Sequence, residues 1–214
     1  MYIPSAFRVT DSEQLTQFIQ THSFALLVSS DHDPEKPPVA THLPLLLELQ
    51  DGRPIRLIGH MAKANPQWRH CHERNVLAIF TGPHAYISAA WYGEKNVVPT
   101  WNYVAVHVTG RIKIEQDSSR AMEIVRQTVE FYERGSSPPW SMDSTDAEYQ
   151  QKMVDAIVAF TIEIEHIDGC WKLNQHHSET RRQGTINGLL NRAHGDDHEI
   201  AELMQSGPQG RSLK

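Results

Sequence analysis

The sequence predicts a mainly β protein: an antiparallel, barrel-like sheet with a few α-helices packed outside it. Three observations carry this. Short apolar, strand-like segments recur with turn signals between them, and only a few amphipathic helices interrupt them. Residues 103–114, YVAVHVTGRIKI, alternate Val104, Val106 and Val108 against Tyr103, Ala105 and His107. The strand–helix–strand rhythm of a doubly wound parallel sheet is missing.

Taken in order, Thr10 followed by Glu13 reads as a capping box opening a helix over about 11–20, with Leu15, Phe18 and Ile19 as its apolar stripe. A strand is expected at 24–30. Pro34, Pro37 and Pro38 then enforce a loop. Residues 39–48 and 55–59 read as two strands of a hairpin across Asp51-Gly52. Asn65-Pro66 reads as a cap and first helical position for a short helix toward His72. Further strands are expected at 76–81, 84–88 and 103–114. Residues 118–133 form an amphipathic helix through Met122, Val125, Val129 and Tyr132, with Ile124 and Phe131 broadening its face. Thr145 and Glu148 cap a helix over about 145–155, which leads to a strand at 157–166. One domain is expected over 1–190, and 191–214 reads as a short C-terminal helix and a flexible tail.

Composition narrows the function classes. The chain has 214 residues, 39% hydrophobic and 21% charged, enough to bury one sizeable core. No apolar run approaches the roughly 20 residues of a membrane span, and the N-terminal segment lacks the basic and apolar regions of a signal peptide, so a cytoplasmic protein is expected. Twenty basic residues against 26 acidic ones give a net charge of −6, which offers nucleic acid no general footprint. Cys71 and Cys170 make neither a disulfide framework nor a metal knuckle, and no metal site is expected from the scattered histidines. Cys71 between His70 and His72 reads as an idle thiol, because neighbours on a helix point in different directions.

Three clusters could carry chemistry. In LIGHMAKANPQW, residues 57–68, a strand ends at Gly59, and His60, the amides around Met61–Ala64 and Lys63 precede a helix start; such a corner suits a phosphate. An ordinary strand–turn–helix corner with a solvated lysine accounts for the same residues. In VPTWNYVAVHV, residues 98–108, Asn102 between Trp101 and Tyr103 could read the edge of a planar heterocycle. Equally, the two rings could point into the core and leave Asn102 in solvent. In WKLNQHH, residues 171–177, and the stretch that follows, Lys172, Arg181, Arg182 and Arg192 stand against the single Glu179, a positive segment for a second phosphate, a nucleic acid or a partner subunit, or a solvated helix face.

These strings, together with MYIPSAF (1–7), ATHLPLLLE (40–48), GPHAYIS (82–88) and WY (91–92), resemble the PaiB family of FMN-binding negative transcriptional regulators over about residues 1–190. The resemblance implies a flavin-reductase-like split β-barrel, a homodimer, and FMN near the subunit boundary. It implies that Thr41, His42 and Pro44 lie near the flavin and that Gly59, His60, Met61, Ala62 and Lys63 take the phosphate end. Trp101 and Asn102 would approach the ring system, with Lys172 and Gln175 coming from the C-terminal segment; no catalytic residue is assigned. The chain departs from the family at Asn174 (commonly serine), His176 (commonly asparagine) and Ala89 (usually proline); Asn174 can still donate a hydrogen bond but is bulkier than serine. Two functions follow as expectations: an FMN-binding regulator, with DNA contact weakly supported by the charge, or a flavin-dependent oxidoreductase acting on a small molecule. Trp91 and Tyr92 supply aromatic surface expected at the dimer contact.

Overall fold

The computed structural model describes residues 1–31, 33 and 35–207. Pro34, one of the loop prolines, and residues 208–214 of the expected tail lie outside the described residues. The strands are β1 (Arg8–Val9), β2 (Phe24–Ser29), β3 (Val39–Pro44), β4 (Leu46–Gln50), β5 (Arg53–Ala62), β6 (Arg74–Ile87), β7 (Thr100–Ile114) and β8 (Ile157–Lys172). They form an antiparallel curled sheet in the order β3-β2-β6-β7-β8-β5-β4, with β1 paired to β8, and helices flank it. This is the expected split-barrel architecture. The helices are α1 (Ser12–Thr21), α2 (Gln67–Cys71), α3 (Ser118–Glu133), α4 (Ala147–Asp155), α5 (Glu179–Arg192) and α6 (Asp197–Ser206). Among the described residues, no helix is long and apolar enough to cross a membrane.

The chain divides into two compact units, and β6, β7 and β8 each run from one into the other. The first comprises Met1–His22, Phe80–His107 and the chain from Asp168 onward. Here α1 buries Leu15, Phe18 and Ile19 as its periodicity predicts. Its cap is Asp11, which accepts the Gln14 amide, rather than Thr10. The Phe18 ring occupies the space above Gly82, where a Cβ would stand 2.7 Å from it. The expected strands at 76–81 and 84–88 are one strand, β6. Its pairing with β2 covers Leu77–Ile79, so Pro83 lies where that ladder asks no donor of it. At the C-terminal side, α6 buries Asp197, Ile200, Ala201, Leu203 and Met204. A boundary at 190/191 would fall inside α5.

The second unit comprises Ser23–Ile79 and Val108–Ile167. Its hairpin β4–β5 turns through Asp51 (φ 52°) and Gly52 (φ 75°), the left-handed pair that an Asp-Gly loop supplies. The expected strand at 39–48 is broken at Leu45, whose buried side chain enters the core and whose N–H donates to Ser23 O at 2.8 Å. Helix α3 packs on this unit through Ala121 and Ile124, against Leu46, Ile58, Val154 and Ala159. Its stripe is therefore rotated from the expected one: Met122, Val125 and Phe131 flank the contact, and Tyr132 is half exposed, tied to Ser23 Oγ at 2.6 Å. Asp146, rather than Thr145, caps α4 by accepting the Tyr149 amide. Strand β8 runs six residues past its expected end at 166, to Lys172.

Candidate functional site

In the second unit, the residues expected near a flavin lie on β3 and β5. Alternation on β3 separates its pair. His42 is exposed and stacked on Phe24, with ring centroids 6.1 Å apart. Thr41 faces the other way, bonded to Asn65 and Gln67. Pro44 ends the strand. Gly59 has no room for a side chain, because a Cβ there would meet Leu45 Cδ2 at 2.8 Å and both Phe160 Cζ and Pro44 O at 3.1 Å.

Strand β5 does not end at Gly59 as expected. It continues to Ala62, with His60, Met61 and Ala62 opposite Ala159, Val158 and Ile157 of β8. Lys63 N–H donates to Ala156 O at 2.9 Å, so the alternation of an antiparallel ladder turns the Met61 amide toward β8 and the His60 and Ala62 amides toward the other edge. The Asn65 amide is taken by Ala62 O at 2.9 Å. The expected cradle of turn amides is thus largely a strand end, and helix α2, five residues long, has its first amide closed by Asn65 Oδ1 at 2.9 Å, with Pro66 at the cap position. Anion-binding capacity rests on side chains. Met61 is a core residue. Burial holds the His60 imidazole below its ordinary pKa, hence neutral at pH 7, and its Nδ1 has no hydrogen-bond partner. Lys63 Nζ reaches only the Asp155 carbonyl, at 3.2 Å; among the described residues no carboxylate pairs with it. Lys63 and Trp68 line a cleft of ≈ 240 Å³ that also includes Asp117, Ser118 and Asp155.

In the first unit, β7 opens with Trp101 and Asn102, and the structure reverses the core reading of these residues. Trp101 is 53% exposed, beside Tyr86 and His84 with centroids 6.0 Å away from each, while Asn102 is 0% exposed. Asn102 Nδ2 donates to Met204 Sδ at 3.4 Å, and its Oδ1 has no partner. The signal for this was present, since two-residue alternation places Asn102 on the face of Val104, Val106 and Val108. Lys172 Nζ donates to Thr100 Oγ1 at 2.6 Å. Gln175 is a brace: its Nε2 donates to Trp171 O at 2.6 Å and Ala6 O at 3.0 Å, and its Oε1 accepts the Leu173 amide at 2.8 Å. The side chain with unused capacity here is the neighbouring Asn174, buried in a left-handed conformation (φ 58°), with neither amide atom bonded.

The basic stretch is not an open charged face. Arg181 pairs with Glu94, Arg182 bonds Met204 O and Glu179, and Arg192 pairs with Asp197. Trp91 and Tyr92, expected at a dimer contact, pack within the chain: Tyr92 is buried, and partly buried Trp91 sets its backbone against Gly184 and its indole against Gly188 of α5, with the Arg192 guanidinium 5.0 Å from its ring. Cys71 is the expected idle thiol, buried and with its pKa pushed up to about 11 by desolvation. The network centred on Gln67 escaped the sequence reading, because an interior glutamine leaves no periodic signal.

An antiparallel split barrel flanked by helices is the fold of flavin-binding split-barrel proteins. More narrowly, the chain belongs to the family described as "Putative FMN-binding domain", whose model matches residues 1–166, and FMN is the cofactor that this membership assigns. The protease synthase and sporulation protein PAI 2 of Bacillus subtilis (strain 168) is 37% identical over 206 residues, covering 96% of this chain and 97% of its own. Two solved structures share the fold: the flavocytochrome Anf3 of Azotobacter vinelandii (TM-score 0.58, 14% identity, 77% of this chain and 69% of that one) and an FAD- and heme-binding protein of Mycobacterium smegmatis (0.58, 13%, 77% and 73%).

Proposed function

We propose that this chain is an FMN-binding regulator of gene expression, acting as a cytoplasmic homodimer, in which FMN is a bound sensory or structural group. The observation that carries the FMN assignment to particular residues is Lys63: a cation with no paired carboxylate among the described residues, three residues from the neutral, partly buried His60 on a strand the family model covers. A phosphate monoester supplies the missing charge, and His60 adds a neutral polar contact. The phosphate-end group is His60 and Lys63, with His42 the β3 side chain available to the cofactor. The ring-end group is Trp101 and Asn102, whose orphaned Oδ1 calls for a donor such as a flavin imide N–H, with Lys172 from the C-terminal segment. Gly59, Met61, Ala62, Pro44 and Gln175 support these groups through backbone shape and packing.

FMN supplies two-electron and one-electron redox chemistry when bound. The residues named above would orient it and limit its exposure, and none of them is assigned as a general acid or base. The test is a titration of flavin-free protein with FMN and with riboflavin. Lys63→Ala should weaken FMN by about 10–150-fold, or about 1.5–3 kcal/mol, and leave riboflavin nearly unchanged. Equal weakening of both would remove Lys63 from the phosphate. Complete reduction of the bound flavin by NADH or NADPH with turnover of an acceptor would replace the regulator by an oxidoreductase.

For the dimer, the exposed aromatic surface is not Trp91 and Tyr92 but Trp101 with Tyr86, beside the 76%-exposed Val98. Sedimentation at micromolar concentration should give a two-chain species, and Trp101→Ser should raise its dissociation constant by about tenfold or more. A single-chain species for the unaltered protein would defeat the dimer.

A further inference from the structure

We infer that Thr41, Asn65 and Gln67 form a closed hydrogen-bonded ring that positions the Lys63 corner for the phosphate of FMN, and that Thr41 serves this ring rather than touching the cofactor; the inference rests on the FMN reading above. Gln67 is 0% exposed. Its Nε2 faces two carbonyls, Leu27 O at 3.1 Å and Val39 O at 3.3 Å, and Ser29 Oγ at 3.1 Å, which fixes that atom as the nitrogen. Its Oε1 is therefore the acceptor for the Thr41 hydroxyl at 2.5 Å. Asn65 Nδ2 donates to that same hydroxyl oxygen at 2.9 Å, and Asn65 Oδ1 accepts the Gln67 amide at 2.9 Å, which closes the ring.

Two consequences follow from donor counting. A hydroxyl has one hydrogen, and that of Thr41 is committed to Gln67, so Thr41 has nothing to donate to an anionic phosphate. What remains on its oxygen is acceptor capacity, which a phosphate dianion repels. On the neighbouring position His42 faces the opposite way and stays exposed, so β3 can offer His42 but not Thr41 to the cofactor. The ring meanwhile ties β2, β3 and the start of α2 to the residues flanking Lys63. The corner itself is pinned by Lys63 N–H on Ala156 O, Asn65 N–H on Ala62 O, and the Trp68 indole N–H on Lys63 O at 3.1 Å. Only the aliphatic stem of Lys63 is left to move, so its ammonium samples a small volume above a fixed Cα. Preorganisation of that kind lowers the ordering cost of binding without adding a contact.

The experiment uses the full chain, flavin-free, with Thr41→Val (same shape, no hydroxyl), Thr41→Ser (hydroxyl kept), Asn65→Ala and the Thr41→Val/Asn65→Ala double variant. Dissociation constants are measured for FMN and riboflavin, and amide hydrogen exchange is followed over residues 62–69 without ligand. Thr41→Val and Asn65→Ala should each weaken FMN by about 5–20-fold with riboflavin changed less than about twofold. Thr41→Ser should restore the unaltered value, and the double variant should be no weaker than the worse single one, because both break the same ring. Exchange over 62–69 should accelerate while the sheet core stays protected. The proposal is overturned if exchange rises but FMN affinity does not move, since the ring would then be purely structural. It is also overturned if the two substitutions add in full, since Thr41 would then act on FMN directly. Should Thr41→Val not fold, Asn65→Ala alone carries both readouts. If the unaltered protein binds neither flavin, the FMN reading itself fails, and the exchange data still decide whether the ring holds the corner.

Discussion

Asn102 buries an amide oxygen that no donor among the described residues meets, while its nitrogen rests on a thioether, a weak acceptor. Leaving such an atom unsatisfied costs about 1–3 kcal/mol. Replacing Asn102 by Leu, of similar shape, should raise the stability of the flavin-free protein by about 1 kcal/mol in urea denaturation. The same change should weaken FMN and riboflavin together, because both share the ring system, in contrast to the FMN-selective effect of Lys63→Ala. A loss of stability with unchanged flavin affinity would make Asn102 an ordinary core contact. Legibility at this scale was uneven for a physical reason. The valine register of β7 was enough to bury Asn102, yet nothing local distinguishes Thr41 as a ring member from Thr41 as a ligand contact, because that depends on Gln67, 26 positions away.

At the scale of elements, α5 and its junction with α6 show what propensity alone leaves out. Gly184 and Gly188 look like helix breakers, each costing about 1 kcal/mol against alanine, but their missing side chains make room for the Trp91 backbone and indole. The polar turn after Arg192 looks like the start of a tail, but Asp197, 1% exposed, gathers the Arg192 guanidinium and the His194 amide and binds α6 to α5. Composition reports the polarity of such a segment; the ion pair that makes burial tolerable appears only in three dimensions. The Arg192 hydrogen bonds hold the Asp197 carboxyl below its ordinary pKa, opposed by desolvation. Because the folded value is the lower one, the stabilisation is complete above the unfolded carboxylate pKa of about 3.9 and is lost as pH falls through the folded value. Asp197→Asn should therefore cost about 1–3 kcal/mol at pH 7, with Arg192 left partly exposed to water, and should flatten the acid limb of the stability–pH curve below about pH 4. An unchanged acid limb would mean that other carboxylates dominate it.

For the whole molecule, strand alternation and turn chemistry were enough to predict the antiparallel barrel, whereas the division into two units was not legible, since each unit gathers segments far apart in the sequence. Charge tells a similar story. The net value of −6 counts residues without their partners, and the one segment that looked cationic, 171–192, has each of its four basic side chains engaged inside the chain: Lys172 with Thr100, Arg181 with Glu94, Arg182 with Met204 O and Glu179, Arg192 with Asp197. The Arg181–Glu94 pair also draws the Glu94 carboxyl below its ordinary pKa, so the anion persists through the neutral range. A DNA phosphate approaching these arginines would have to displace carboxylates already in place. On the proposed regulator reading, these arginines are therefore not expected to contact DNA. The double variant Arg181→Gln/Arg182→Gln tests this in filter retention of a DNA fragment between about 50 and 200 mM salt. With the arginines engaged internally, the slope of log affinity against log salt should match that of the unaltered protein, and the variant should show its effect as lowered thermal stability. A slope shallower by about 2, near 0.9 for each phosphate contact removed, would place both arginines on the DNA and show that their internal pairs open on binding.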